Sequence, residues 1–233
     1  MSSEIPSNSL LSTLGHCELE LVRPHLEAVD LPVRRRLAEA NRTIRHVYFP
    51  SNGIASVVHG LPQEASIEIG IVGREGLANV PAVLGADKSP NEVLMQVRGD
   101  GQRIEVDRLR AAMDASPILR VVLLRYCSAF LSQVSSTVFA NGRANVRERL
   151  ARWLLMSADR EGPQLPLTHE FLSVMLGVRR SSVTLALREF QQLDVVSLQR
   201  GSITLRDREE LERVANHYYG AAERELLRIF PGS

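Results

Sequence analysis

Residues 167–187 read Leu-Thr-His-Glu-Phe-Leu-Ser-Val-Met-Leu-Gly-Val-Arg-Arg-Ser-Ser-Val-Thr-Leu-Ala-Leu, and they contain the strongest local pattern in the chain. Thr168 is a favourable first cap of a helix, and Glu170 follows in the first turn, where a negative charge suits the helix dipole. Gly177 then interrupts the apolar spacing, as the turn of a helix-turn-helix unit requires. The stretch predicts two short helices joined by a tight turn.

The second helix of this unit is predicted from about Arg180 to Leu193, with two chemically different faces. Val183 and Leu187 fall on an apolar face, whereas Arg180, Thr184 and Arg188 recur every four residues on another face. Arginine donates two hydrogen bonds to guanine, and hydroxyl groups contact phosphates or bases. Two alternating runs, 195–198 and 202–205, follow as a hairpin whose tip carries Arg200. We predict these DNA-contacting residues: Thr168, Arg179, Arg180, Ser181, Ser182, Thr184, Leu185, Arg188 and Arg200.

Charge is unevenly distributed along the chain. The 233 residues carry a net charge of only +1, yet the segment from Arg179 to Arg206 contains five arginines and two acidic residues, a local charge of +3. A helix-turn-helix pattern alone also occurs in protein-binding modules, so a scaffold protein whose winged helix binds no DNA is the alternative. The hairpin, the glycine turn and the local positive charge together favour DNA.

The segment from Val33 to about Val106 has a different character, with short β-rich runs between turn residues. This spacing predicts an antiparallel sandwich or roll, with one short helix at 77–84 and Gly99-Asp100-Gly101 as a turn. Ahead of it, apolar residues three and four apart predict a helix over 19–30. The predicted strands cover 46–49, 54–58, 66–72, 93–97 and 102–106.

A long helix is predicted over 118–140, where neither proline nor glycine occurs. It carries two apolar stripes, of which the second consists of Leu124, Leu131 and Val138. One stripe is expected to pack on the β-domain and the other on an identical helix, although packing on the β-domain alone is the alternative. Asn141-Gly142 is expected to end the helix, with a hinge at 141–144. The predicted dimer interface consists of Leu123, Cys127, Phe130, Val134 and Thr137.

Several classes of protein are disfavoured by the composition. No uninterrupted apolar run approaches the roughly 18 residues of a membrane span, and the first ten residues lack the pattern of a signal peptide, so we expect a cytoplasmic protein without a membrane partner. Cys17 and Cys127 are isolated, so we expect neither a disulfide framework nor a metal site. The sequence contains no phosphate loop, no zinc-helix motif and no supported catalytic triad, so we do not expect an enzyme.

Taken together, these residues resemble the Crp/Fnr family of bacterial regulators. The similarity includes residues 167–187, His46-Val-Tyr-Phe-Pro, Gly73-Arg-Glu-Gly-Leu and Asn145-Val-Arg-Glu-Arg-Leu-Ala-Arg-Trp-Leu, and it extends over about residues 15–215. It implies an α+β chain with an N-terminal antiparallel β-roll of the cyclic-nucleotide-binding type, a long dimerisation helix and a C-terminal winged helix-turn-helix. The predicted domains are an N-terminal tail (1–14), a sensory β-roll (15–112), the dimerisation helix (113–141) and a DNA-binding domain (142–233).

The chain departs from the family at the positions that select DNA and effector. Arg180 matches the first base-reading arginine, but Ser181 replaces a glutamate and Leu185 replaces an arginine. In the ligand loop, Arg74 replaces the glutamate that holds the ribose of cyclic AMP, which disfavours that effector. The cysteine cluster of iron–sulfur sensors is absent, and His16, His25, His46 and His59 leave a haem sensor as an alternative. The effector-binding residues implied by the resemblance are Gly73, Arg74, Glu75, Gly76, Lys88, Ser89 and Ser135.

The resulting hypothesis is a sequence-specific transcription regulator that acts as a homodimer. Its partners are expected to be double-stranded DNA with two half-sites, arranged as a palindromic operator, and RNA polymerase. The sensor domain is expected to respond to an effector that the sequence does not identify.

Overall fold

A computed structural model describes residues 8–60 and 66–230. The chain divides into two compact units, and neither is a single continuous segment. The first unit contains the chain up to Val57, the segment Ile71–Leu131 and the end from Glu225. The second contains Val58–Gly70 and Ser132–Arg224. The domain bounds expected from the sequence remain a prediction. Residues 8–14 are part of the first unit, and 1–7 lie outside the described residues.

Within the part of the chain that the structure describes, seven strands precede the long helix and form two sheets. The three-stranded sheet has the order β1-β7-β3, and the four-stranded sheet has the order β2-β6-β4-β5. The pairs β1–β7, β3–β7 and β2–β6 are antiparallel, as predicted for a roll. The strands are β1 (Glu27–Leu31), β2 (Arg36–Ala38), β3 (His46–Pro50), β4 (Ile54–Gly60), β5 (Ser66–Val72), β6 (Glu92–Val97) and β7 (Gly99–Glu105).

The core of the first unit is built from consecutive buried residues of β3 and β4, many of them β-branched or aromatic. Val47 and Phe49 of β3 and Ile54 of β4 are 0–1% exposed. The start of the described chain also packs here, because the Asn8 side-chain amide donates to the backbone oxygens of Pro50 and Gly76, each at 2.8 Å. Leu10 and Leu11 follow in a short helix and are 1% exposed, so this segment contributes to the core.

Two sequence predictions in this unit are wrong. Gly99–Gly101 begins β7 and is not a turn. Because Gly99 and Gly101 lack side chains, β7 lies directly against the backbone of Asn52 and Phe49. The predicted helix over 19–30 ends early. Its first half is helical (His16–Val22), a short 3₁₀ turn accommodates Pro24, and Glu27–Leu31 is β1. Strand β1 is specified by its partner, because five of its residues pair in register with β7.

Helices precede and follow the long helix along the chain. The long helix runs Pro117–Arg143, so it continues through Asn141-Gly142, and Asn145 caps the following helix. The predicted helix end at Asn141 is therefore wrong. In chain order the helices are α1 (Ser9–Ser12), α2 (His16–Val22), α3 (Val80–Val83), α4 (Val106–Ala115), α5 (Pro117–Arg143), α6 (Val146–Glu161), α7 (His169–Leu176), α8 (Arg180–Gln192), α9 (Arg208–Ala215) and α10 (Ala221–Ile229).

Helix α5 has an inner side, which is buried within the chain, and an exposed outer side. The predicted dimer residues Leu123, Cys127, Phe130 and Thr137 are 1–8% exposed within the single chain, and Val134 is half-buried. They are therefore occupied by intrachain packing, and the interface assignment is corrected. Solvent reaches the opposite side, where exposed residues recur at alternating spacings of three and four. We call this set the outer stripe: Val121, Leu124, Ser128, Leu131, Ser135 and Val138.

The same helix is the one described helix that is long and apolar enough to cross a membrane by length and composition. The inner side is buried in the chain, and the outer stripe has the seven-residue repeat of helices that pack side by side.

The two cysteines are expected to differ sharply in reactivity. Cys17 is exposed and Cys127 is buried, and burial raises the pKa of the Cys127 thiol to about 12. Because the thiolate is the reactive form, iodoacetamide at pH 8 should modify one cysteine per native chain and two after unfolding in urea. Mass mapping should place the native label on Cys17. Rapid native labelling of Cys127 would contradict the packing of α5.

Candidate nucleic-acid interface

Helices α7 and α8 form the predicted helix-turn-helix, and the local sequence explains both ends of α7. The Thr168 hydroxyl accepts a hydrogen bond from the Phe171 backbone N–H at 3.2 Å, which caps the helix start. Gly177 ends α7 with φ +60° and ψ 40°, a left-handed conformation that favours glycine. Helix α8 then begins at Arg180, as the sequence predicted.

Helix α8, hereafter the recognition helix, buries one face and exposes another. Val183, Leu187 and Phe190 are fully buried. The opposite side bears a shallow surface, here called the recognition face: Arg180, Ser181, Thr184, Leu185 and Arg188. The structure thus brings together five of the nine predicted contact residues.

The other predicted contact residues lie around this face. Arg179 is exposed immediately before the helix, and Ser182 is half-buried on it. Thr168 is exposed at the start of α7. Arg200 is exposed at the tip of a hairpin formed by β9 (Val196–Gln199) and β10 (Ser202–Leu205), with Gly201 at φ +75°. A third strand, β8 (Gln164–Leu165), pairs with β10, and the sequence analysis missed it because it spans two residues.

Two contacts hold side chains of the recognition face in place. Arg180 Nε lies 3.6 Å from Glu170 Oε2, and both side chains are two-thirds exposed. Such an exposed pair is weak and readily exchanged for a phosphate or a base. The Thr184 hydroxyl lies 3.0 Å from His169 Nδ1, so it has a partner within the protein. Burial lowers the pKa of His169, and the positive charges of Arg180 and Arg188 lower it further, as expected beside a cationic surface.

Helix α6 supports the recognition helix through contacts that sequence spacing did not reveal. Arg147 pairs with Glu189 at 2.9 Å, and its guanidinium also lies over the Phe190 ring. Arg149 donates to the backbone oxygen of Leu176 at the end of α7. Both arginines belong to the segment Asn145-Val-Arg-Glu-Arg-Leu-Ala-Arg-Trp-Leu, which resembles the Crp/Fnr family. That resemblance is the one sequence signal that could have identified them. These contacts join α6 to the recognition helix and to the end of α7.

A buried polar cluster lies deeper in the second unit. The Trp153 indole N–H donates to Glu68 Oε1 at 2.6 Å, and these residues are 3% and 5% exposed. Next to Trp153, the Arg152 guanidinium donates to the backbone oxygen of Tyr218 and to the Thr137 hydroxyl, each at 3.0 Å. Burial lowers the pKa of Arg152, while the carboxylates of Glu223 and Glu68 act in the opposite direction. Residues 66–70 therefore belong structurally with the helices of the second unit.

The predicted effector residues are divided between the two units. Six lie in the first unit and Ser135 in the second. The Arg74 side chain is exposed, whereas the Glu75 carboxylate turns back to accept from Gly73 N–H at 3.1 Å. A Cβ at Gly76 would overlap the buried Tyr126 ring. Lys88 is exposed, and the Ser89 hydroxyl accepts from Asn91 N–H. The effector set remains a prediction.

Within 8–60 and 66–230, no three or more histidine, cysteine or acidic side chains are arranged so that they could hold a metal ion. Of the four histidines named as haem candidates, His46 has a pKa lowered by burial and by Arg103. His16 is mostly exposed and lies beside Glu20.

A family model matches the part of the chain that carries the recognition face. Residues 148–214 match the Crp-like helix-turn-helix domain. The matched range contains α7, the recognition helix and the hairpin with Arg200, and most of α6. No curated protein sequence matches the chain.

Solved structures resemble nearly the whole chain. FixK2 from Bradyrhizobium japonicum has a TM-score of 0.72 at 13% identity, covering 82% of this chain and 98% of its own. A Crp/Fnr-family structure from Eubacterium rectale has a TM-score of 0.70 at 19% identity, covering 90% and 98%. A transcriptional regulator of the CRP family from Thermus thermophilus has a TM-score of 0.68 at 19% identity, covering 84% and 99%. These similarities confirm the fold predicted from the sequence.

Proposed function

We propose that this chain, a Crp/Fnr-type transcription regulator by its helix-turn-helix domain and its fold, binds a two-half-site DNA operator as a homodimer through the recognition face. The observation that carries the proposal is the composition of that face. Arginine and hydroxyl side chains point outward from a helix whose other side is fully buried. Such a helix fits the major groove, where arginine reads guanine and hydroxyl groups contact phosphates or bases.

The electrostatics of the second unit support a polyanionic partner. Among the described residues, Arg179, Arg188 and Arg200 form no ion pair. Together with Arg180 they supply positive charge on the recognition helix and on the hairpin tip. Because the whole chain is nearly neutral, this local charge determines which surface attracts DNA.

The outer stripe of α5 supports the dimer. Val121, Leu124, Leu131 and Val138 are 46%, 40%, 56% and 64% exposed. Their alternating spacing matches the seam of two parallel helices, and the helix Pro117–Arg143 is about 40 Å long at about 1.5 Å per residue. A second copy of the same helix would cover an apolar surface that a single chain leaves in water. A dimer would present two recognition helices to two half-sites about one DNA turn apart.

Three further assignments rest on the family resemblance alone. We propose that the protein works in the cytoplasm, that RNA polymerase is a partner, and that the first unit senses an effector through residues near Gly73 and Ser89. The relatives are transcriptional regulators and not enzymes.

Arginine substitutions test the proposal. A bidentate arginine–guanine contact contributes about 1–3 kcal/mol, so Arg180→Ala should lower operator affinity about tenfold or more and relax preference at one base pair per half-site. Arg200→Ala should weaken all DNA sequences equally and reduce the slope of log affinity against log salt by about 1 per subunit. Fluorescence anisotropy on an operator obtained by iterative selection measures both quantities.

Arg42→Ala provides the matched control, because Arg42 is an exposed arginine of the first unit whose loss changes the net charge equally. It should leave affinity and salt slope unchanged. If the Arg180→Ala, Arg188→Ala double variant kept wild-type affinity and salt slope, the recognition face would not bind DNA.

A further inference from the structure

Leu185 is an exposed apolar side chain in the middle of the recognition face. Its side chain is 62% exposed, which is comparable with the other exposed large hydrophobic residues of the chain. Its neighbours on this face are arginine and hydroxyl residues. Ser181 lies one turn before it and Arg188 nearly one turn after it. Leu185 is not part of the core of the chain. The buried side of the helix is formed by Val183, Ala186 and Leu187. The position therefore suits an external apolar group.

The major groove offers one apolar group on its base edges, the C5-methyl of thymine. Leu185 lies five residues beyond Arg180, which is about 7.5 Å along the helix axis. That distance is close to two base-pair steps, at about 3.4 Å each. Both side chains can therefore reach base edges of the same half-site. A cytosine, adenine or guanine edge would place a polar group against the leucine and leave it without a hydrogen bond.

We propose that Leu185 selects thymine by contacting its C5-methyl, at a base pair about two steps from the one contacted by Arg180 in each half-site. This inference rests on the proposed function. It assigns a base preference to a position where an arginine would select guanine, so the operator should combine a guanine contacted by Arg180 with a thymine contacted by Leu185.

Deoxyuridine provides the test, because it differs from thymidine only in lacking the methyl group. On the selected operator, thymidines are replaced by deoxyuridine one symmetric pair at a time. Burial of one methyl group corresponds to about a fourfold change in affinity, so the critical pair should weaken wild-type binding about 15-fold over two half-sites. The other thymidine positions should change affinity less than about twofold.

Two leucine variants connect the methyl group to Leu185. Leu185→Ala should bind the thymidine and deoxyuridine duplexes with equal affinity. Leu193→Ala removes a leucine of similar exposure, 60%, at the far end of the recognition helix, and it should keep the full deoxyuridine effect. Circular dichroism of both variants checks that the helices remain folded.

The outcomes separate this inference from the function on which it rests. If the wild type binds its selected operator but no deoxyuridine pair weakens binding, or if Leu185→Ala keeps the full effect, the methyl contact is refuted and DNA binding stands. If selection yields no enriched sequence, the proposed function is refuted and this inference with it.

Discussion

Val138→Glu is expected to convert the dimer into a monomer and to lower affinity for a two-half-site operator by about 100-fold or more. Val138 is 64% exposed on the outer stripe, so the substitution places no charge in the core of the single chain. In a symmetric dimer, however, it brings two carboxylates into an apolar seam without a countercharge, which costs several kcal/mol. Joining two half-site contacts raises overall affinity by about 10²–10⁴, and a monomer loses that gain.

Light scattering after size exclusion should give half of the wild-type mass, and anisotropy should give the affinity. Binding to a single half-site should be unchanged, because the recognition face is intact. Leu124→Glu, on the same stripe, should behave alike. Val33→Glu is the matched control, since Val33 is 54% exposed in a turn of the first unit. A Val138→Glu protein that stays dimeric with unchanged operator affinity would refute the outer stripe as the interface.

The two sides of α5 could not be distinguished from the sequence. Both sides of α5 carry apolar residues at helical spacing. The sequence therefore predicts that both sides are covered, but it does not indicate which side packs within the chain. The answer depends on long-range packing, which buries Leu123 and Cys127 in the chain and leaves Leu124 and Val138 exposed. The recognition helix was predictable because its evidence is local. A cap at Thr168, a break at Gly177 and two opposed faces all lie within one short segment.

The strands also divide into those that local sequence predicts and those that depend on long-range pairing. The strands β3 to β6 lie where they were predicted, to within about two residues, because each is a short β-rich run between turn residues. Strand β1 does not, because its residues are mostly exposed and its register is set by pairing with β7, including an ion pair between Glu27 and Arg103 at 2.8 Å. Strand β5 alternates, yet Glu68 is buried and Ile67 is half-exposed. The partner of Glu68, Trp153, is 85 residues away, so sequence alternation could not reveal the pair.

Loss of the hydrogen bond between Trp153 and Glu68 is expected to lower the stability of the protein strongly. Trp153→Phe keeps a buried aromatic ring but removes the N–H that donates to Glu68 at 2.6 Å. A hydrogen bond to a charged acceptor contributes about 1.5–3 kcal/mol, and leaving such a group buried with one donor fewer adds a desolvation penalty. We expect a loss of about 3 kcal/mol in the free energy of unfolding. For a chain of this length that corresponds to a fall of about 6–12 °C in Tm.

Urea unfolding followed by circular dichroism at 222 nm measures this loss without relying on the tryptophan signal. Glu68→Gln is the conservative partner variant, because its amide oxygen still accepts from Trp153 while the charge is removed, and it should cost less than Trp153→Phe. A cycle of Trp153→Phe, Glu68→Leu and their double variant isolates the pair, because each single change removes the hydrogen bond. If the hydrogen bond stabilises the second unit, the double variant should be less destabilised than the sum of the single variants, by about 1–2 kcal/mol. Additive losses would mean that Trp153 acts through packing alone, and that the buried carboxylate of Glu68 is held by Arg152 and its other neighbours.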